Sequence, residues 1–228
     1  MEKEIFFLEY EFTVKEEVFC PRPETEELAI ICFEEAEKIS NVVIIEIGTG
    51  AGCIAISLSK MFEKENKSDF LIIGTDISLK SIRNASLNSE RNKAKNVFFV
   101  VSDLLSAIAN KNKVDIIVSN PPYIPKYILP KLKITDPLIS VNGGEKGYEI
   151  TERIIHQSKM FLKPCGLLFL EIGFKDIEYF GHTNESILYR KRIMDNLDRS
   201  FHNIEIFKDL NGIERYIKCR YGKHLQGC

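Results

Sequence analysis

At 228 residues with 44% hydrophobic content, the chain is long enough to bury one full core, and no Gly/Ser/Pro-rich linker divides it. A formal net charge of −2 argues against a protein that coats polyanions, while leaving room for a local basic patch. No run approaches the ~18 apolar residues of a membrane span, and the acidic start Met1-Glu2-Lys3-Glu4 is unlike a secretory or mitochondrial leader. A cytoplasmic protein is expected, with a monomer as the default. The six cysteines (Cys20, Cys32, Cys53, Cys165, Cys219 and Cys228) show no C-x-x-C spacing and several lie in apolar stretches. They read as reduced core thiols rather than zinc ligands or a disulfide framework, and no metal is expected.

Residues 5–19 alternate loosely, as a short β-hairpin or edge strands would. In Phe19-Cys20-Pro21-Arg22-Pro23-Glu24-Thr25-Glu26 the prolines force an extended loop. Thr25 is the expected helix N-cap, with glutamates in the first turn where the helix dipole favours them. Arg22, held between prolines, either lines a site or merely precedes the helix. Val42–Ile47 is a strongly apolar strand running into Glu46-Ile47-Gly48-Thr49-Gly50-Ala51-Gly52, after which Ile54, Leu58 and Met61 carry a helical stripe. Strand, glycine loop and helix form the first turn of a nucleotide-binding α/β unit. The loop reads G-x-G-x-G rather than G-x-G-x-x-G, and no G-K-[ST] follows. Glu46 would repel a pyrophosphate and favour an ammonium or sulfonium group. S-adenosylmethionine (SAM) carries both and has no phosphate.

Phe70–Thr75 is the next strand, ending at Asp76, with a helix from Ser78 to about Glu90. Asp76 lies 24 residues past Gly52 (76 − 52), near the ~20-residue offset of an acid that takes ribose hydroxyls; otherwise it caps the helix. Val97–Val101 ends in Ser102-Asp103-Leu104. There Asp103 either accepts the exocyclic amine of adenine, with Leu104 covering the ring, or caps a turn.

The buried strand Val114–Ser119 delivers Asn120-Pro121-Pro122-Tyr123 to its carboxyl end, where open α/β sheets place ligands. These four residues suit the holding of a planar –NH2 group. The Asn120 side-chain oxygen can accept one N–H and the Pro121 carbonyl the other. Pro121 and Pro122 fix φ and supply no competing N–H, and Tyr123 can lie against the planar group and keep water away. The plainer reading is a proline-stiffened turn. A long loop follows through Gly143-Gly144, of a length that marks a lid or disorder. A helix around Ile150–Leu162 stops at Lys163-Pro164-Cys165-Gly166, and Leu167–Ile172 is another buried strand. Glu178–Arg199 reads as loop plus helix. Ile204–Phe207 and Ile213–Cys219 flank Asp209-Leu210-Asn211-Gly212, a hairpin signal. An antiparallel hairpin closing a parallel sheet fits the SAM-methyltransferase arrangement better than a symmetric doubly wound one.

Together these residues resemble the release-factor glutamine methyltransferases over almost the whole chain. The likeness rests on Pro21 through Glu26, Glu46 through Gly52, Thr75-Asp76, Ser102-Asp103-Leu104, Asn120 through Tyr123, Gly143 through Gly147, Glu171-Ile172-Gly173 and Asp209 through Ile213. The resemblance implies an α/β, Rossmann-like SAM-dependent methyltransferase fold. Its seven-stranded sheet is mostly parallel, with an antiparallel C-terminal hairpin and helices on both faces. Residues 1–20 would be an edge segment ahead of a methyltransferase domain spanning 21–228. The implied reaction is N5-methylation of the glutamine in the Gly-Gly-Gln motif of peptide-chain release factors. Carried over by position, Gly48, Thr49, Gly50, Ala51, Gly52, Asp76, Leu104 and Asn120 would contact SAM, joined by Glu46 and Asp103 from the chemistry above. Asn120, Pro121, Pro122 and Tyr123 would hold the glutamine beside Arg22, with Asn120, Pro121 and Tyr123 carrying the catalysis.

Three features depart from the family. Relatives usually carry a helical domain ahead of the hairpin that helps engage the release factor, and almost nothing stands there. Cys165 occupies a position where relatives commonly have a second glycine, and 174–200 is longer than usual. The same Asn-Pro-Pro-Tyr serves exocyclic adenine amines, so an N6-adenine DNA or RNA methyltransferase is the alternative enzyme. Duplex readers must extrude the base and generally need an added recognition region, for which this chain has little room. A ribosomal-protein glutamine methyltransferase and a non-catalytic SAM-binding protein are the remaining rivals. Stable nucleic-acid binding is not expected.

Overall fold

The computed structural model describes residues 2–109, 113–173 and 181–222. Strands β1 (Lys3–Phe7) and β2 (Tyr10–Val14) pair antiparallel as a separate hairpin. Helix α1 (Glu24–Ala36) leads to β3 (Val42–Ile47), α2 (Cys53–Lys64), β4 (Phe70–Asp76), α3 (Leu79–Asn92), β5 (Val97–Val101) and β6 (Val114–Ser119). The loop after Tyr123 is ordered into β7 (Ile124–Pro125), a 3-10 turn, one-turn helix α4 (Leu138–Val141) and β8 (Asn142–Gly144), with β7 parallel to β8. Helix α5 (Glu149–Phe161), β9 (Leu162–Glu171), α6 (Thr183–Leu197), β10 (Phe201–Lys208) and β11 (Glu214–Tyr221) complete the fold.

The seven-stranded sheet has the order β10-β11-β9-β6-β3-β4-β5. Its β9-β6-β3-β4-β5 portion is parallel, and β11 and β10 are antiparallel. Continuous apolar runs are what a sheet covered on both faces requires. Alternate residues serve opposite cores: Ile44, Ile116, Val118 and Phe169 face the side packed by the hairpin, α1 and α2. Ile45, Ile117, Leu168 and Leu170 face the side of α5 and α6, where Tyr189, Ile193 and Leu197 are buried. Each such side chain contributes about 1.5–3 kcal/mol on burial. The chain leaves central β3 in both directions, to β4 and to β6. This strand-order reversal opens a crevice at the carboxyl ends.

Three expectations shift. Thr25 is not an N-cap: Pro23 holds that position, and Thr25 is buried inside the first turn of α1. Lys163–Gly166 does not separate helix from strand. It bulges out of β9, whose pairing with β6 jumps from Val114↔Leu162 to Ile116↔Leu167. Cys165 sits there at φ +67, the left-handed region that favours glycine. Cys165 is also disulfide-bonded, against the expectation of reduced thiols that Cys20, Cys32, Cys53 and Cys219 satisfy. Within the 174–200 segment, α6 is helical as expected, and the start of the preceding loop (174–180) lies outside the described residues.

Candidate active site

The carboxyl ends of β3, β4, β5 and β6 bring together the glycine loop, Asp76, Asp103-Leu104 and Asn120-Pro121-Pro122 around a cavity of about 350 Å³. The glycine loop is anchored from behind, since the Gly48 and Thr49 amides donate to the Thr75 carbonyl at 2.8 and 2.9 Å. Gly48 and Gly50 adopt φ +75 and +54, and a methyl added to either would meet nothing within 4 Å. Their bare backbones border open space. Gly52 differs: a Cβ there would press on Ile56 at 2.9 Å and Ala85 at 3.0 Å. Its role is the close approach of α2 to its neighbours, and it lines neither this cavity nor its neighbours.

Glu46 is 3% exposed and accepts from the Thr49 hydroxyl at 2.5 Å and the Ala55 amide at 3.1 Å. Burial pushes its carboxyl up to about 8, more than those hydrogen bonds pull it down. It borders a small side cavity with Thr49, Ala51, Thr25 and Asn120. Asp76 accepts from the Gly50 amide at 2.9 Å and the Ser78 amide at 2.8 Å, and burial raises its carboxyl too. Among the described residues, no lysine or arginine pairs with either acid. Asp103 is instead half-exposed and holds Arg153 at 2.7 Å through Oδ2. Leu104, at φ +53, lies beside it on the cavity wall.

A second cavity of about 270 Å³ shares Phe19, Asn120, Pro121, Pro122 and Ser140 with the first, and adds Arg22, Tyr123, Glu171 and Arg215. Asn120 Nδ2 donates to Thr25 Oγ1 at 3.0 Å, and the Thr25 hydroxyl donates to Glu171 Oε2 at 2.9 Å. The Tyr123 ring packs flush on Gly173, where any Cβ would lie inside the ring. Gly143 and Gly147 close on the Tyr123 backbone, at its Cα and carbonyl oxygen, again with no room for a Cβ. Arg22 borders this cavity but its guanidinium is committed to Asp136 at 2.6 Å. It thereby ties the 126–137 loop to the proline loop, with its charge over the Phe19 ring at 5.6 Å. Arg215 pairs with Asp209 at 3.2 Å.

Every residue singled out from the sequence, apart from Gly52, thus lies on one of three adjoining cavities. The sequence reading missed Thr25 as the partner of Asn120, Glu171 as the partner of Thr25, and Gly173 as the seat of Tyr123. An acid ending an apolar strand, followed by Ile-Gly, was the available signal for the last two.

The methyltransferase small domain family matches residues 9–208. The chain is 33% identical to the release factor glutamine methyltransferase of Thermodesulfovibrio yellowstonii, over 97% of this chain and 75% of that protein. It is 32% identical to the enzyme of the same description from Bacillus subtilis, over 93% and 71%. Among solved structures, the Thermus thermophilus 16S rRNA N2 G1207 methyltransferase, in complex with AdoMet and guanosine, superposes with a TM-score of 0.63. That match has 18% identity and covers 98% of this chain and 50% of that one. The ribosomal protein L11 methylase of Lactobacillus delbrueckii subsp. bulgaricus gives 0.60 at 21% identity, covering 91% and 82%. These two show the fold. No helix among the described residues is long and apolar enough to cross a membrane. With the alignments covering most of both chains, this protein belongs to the release-factor glutamine methyltransferase family and is a SAM-dependent methyltransferase.

Proposed function

We propose that the protein methylates the side-chain amide nitrogen (N5) of the glutamine in the Gly-Gly-Gln motif of a peptide-chain release factor. The observation that carries this reading is the wall Asn120-Pro121-Pro122, which borders both large cavities. A group seated in one meets a group seated in the other across it. The larger cavity fits SAM, with bare glycine backbone and Asp76 for a vicinal diol, and the small side cavity that adjoins it at Gly48, Gly50 and Asn120 adds a buried acid, Glu46, with no cationic partner among the described residues. When bound, SAM would supply a sulfonium methyl, whose S–C bond breaks as the new C–N bond forms, the electron pair staying on sulfur and the nitrogen giving up its proton to solvent as the product leaves.

The protein's part is to hold and to shield. An amide nitrogen is a poor nucleophile because its lone pair is delocalised into the carbonyl, and no side chain could remove an amide proton cheaply at neutral pH. Asn120 Oδ1 and the Pro121 carbonyl therefore accept the two N–H groups and aim the nitrogen. Both contacts strengthen as positive charge develops there. Positioning of this kind can supply roughly 7–11 kcal/mol. Tyr123 and Pro122 wall off water. Glu46 receives the ammonium of SAM, Asp76 the ribose hydroxyls, Leu104 the adenine ring and Asp103 Oδ1 its exocyclic amine, with Thr49 and Ala51 shaping the loop. Gly52 acts through packing. Arg22 acts on the substrate side through the loop it tethers.

The relatives at this level of identity are named for glutamine, which leaves the adenine reading without a supporting observation. A monomer acting in the cytoplasm, with no stable hold on nucleic acid, fits the net charge of −2. The test is incubation with SAM and an intact release factor, followed by tryptic mass spectrometry of the Gly-Gly-Gln peptide. One added methyl on the glutamine is expected. Asn120→Ala should lose roughly 3 kcal/mol of transition-state stabilisation, the scale of one preorganised polar contact, or about 10²-fold in rate. SAM binding should change much less. An equally active mutant would end the assignment.

A further inference from the structure

We propose that Thr25 and Glu171 set which way round the Asn120 amide stands, and so act as positioning residues for the reacting –NH2 group. The two ends of an asparagine amide have nearly the same shape and opposite hydrogen-bonding character. A half-turn of the terminal torsion would present N–H to the incoming –NH2, donor against donor. Something must exclude that orientation.

A one-way chain of hydrogen bonds does so. The Thr25 hydroxyl has a single proton and lies 2.9 Å from Glu171 Oε2. An ionised carboxylate can only accept, so that proton is spent on Glu171. Thr25 Oγ1 then faces Asn120 only as an acceptor, and the 3.0 Å contact must be filled by Asn120 Nδ2. Asn120 Oδ1 is left facing the junction of the cavities. Thr25 and Glu171 are 3% and 2% exposed, so water has little access with which to scramble the order. Arg215 lines the same cavity as Glu171, and its carbonyl accepts from the adjoining Ile172 amide at 2.8 Å. The three residues come from the first turn of α1, the end of β6 and the end of β9, 95 and 146 positions apart along the chain. Rigid elements of one core fix all three.

The inference rests on methyl transfer to an –NH2 group and deepens that reading. Thr25→Val keeps the shape and removes the hydroxyl, whereas Thr25→Ser keeps the hydroxyl. With SAM and a release factor, Thr25→Val should lower kcat about 10-fold or more, since a misaimed reacting group can cost up to about 10²-fold. Calorimetric SAM affinity should stay unchanged, and Thr25→Ser should retain wild-type kcat. In an Asn120→Ala background, Thr25→Val should cost nothing more, because its effect travels through that amide. Wild-type kcat in Thr25→Val, an equal loss in Thr25→Ser, or an undiminished loss in the Asn120→Ala background would each overturn the proposal. A readout independent of activity separates it from the function reading. Hydrogen exchange of the 15N-labelled Asn120 side-chain amide should be slow for one proton in the wild type and fast in Thr25→Val. Fast exchange of both protons in the wild type would overturn the amide lock. A locked amide in a chain that leaves the Gly-Gly-Gln glutamine unmethylated would count against the substrate and not against the lock.

Discussion

The two cavities that meet at Asn120 treat charge in opposite ways. On the glycine-loop side, Glu46 and Asp76 are satisfied, among the described residues, by hydroxyl and amide donors, and burial raises both carboxyls. On the other side the charges are already matched within the protein: Arg22 with Asp136 and Arg215 with Asp209, while Glu171 receives Thr25. A site for a cation keeps an acid waiting. A site for a neutral amide is better served by fixed dipoles and settled charges, since a stray ion would compete for the same N–H groups or pull the amide out of line. The difference predicts electrostatic sensitivity in the first cavity and geometric sensitivity in the second.

The largest effect should come from geometry. Gly173→Ala places a methyl inside the Tyr123 ring position, so the ring must move. Displacements near 1 Å can cost about 10²-fold in rate. Methyl transfer should fall by that order while calorimetric SAM affinity holds, and a mutant with wild-type kcat would break the comparison on the amide side.

Glu46→Gln probes the other side. Losing a buried charged partner for the SAM ammonium should weaken binding about tenfold near pH 8, since a hydrogen bond to a charged group contributes roughly 1.5–3 kcal/mol. The wild-type pH profile has a definite shape. Below about 8, pairing must release the Glu46 proton, so affinity rises with pH. Above roughly 7.7–8.0 the α-amino group of the ligand loses its own proton, and affinity falls again. The mutant should lack the rising limb, and a flat wild-type titration would place the ammonium elsewhere. Folding stability carries the same group with its own sign. The native state holds a proton that the unfolded state releases between 4.5 and about 8. This contribution is therefore full below 4.5 and is lost as pH rises through that window, as denaturant midpoints at stepped pH would record.

The smallest effect belongs to the Arg22–Asp136 pair, whose guanidinium is exposed. Arg22→Ala frees Asp136 and the 126–137 loop, but an ion pair with its cation in solvent contributes about 0–1 kcal/mol. KM for the release factor should rise by no more than about fivefold with kcat intact. A large fall in kcat would mean that Arg22 touches the reacting group.

The sequence reading held best where partners are close along the chain. The strands Val42–Ile47, Val97–Val101 and Val114–Ser119 have the boundaries their apolar runs suggested. The final hairpin turns at Asp209–Gly212, with Asp209 Oδ1 accepting from the Asn211 and Ile213 amides. It failed at Thr25, where a residue with good capping chemistry was drawn inside the helix. The Asn120 amide and the Glu171 carboxylate offered it two partners from distant strand ends, and those outweigh one cap. The bulge at Lys163–Gly166 was misread because Pro and Gly signal a break whether the chain leaves the strand or only steps out of it.

What the sequence determined by itself was the sheet, the crevice at its strand ends, and the chemistry of the residues delivered there. Apolar periodicity, a glycine loop and proline-fixed acceptors act within a few positions of one another. What only the tertiary structure decided was orientation: which way the Asn120 amide faces, what seats Tyr123, and whether Arg22 is free or tethered. Those depend on hydrogen bonds and contacts between residues 95 to 146 positions apart, or packed against a bare Cα. No local pattern encodes a pairing at that range, because folding the intervening core is what brings the partners within reach.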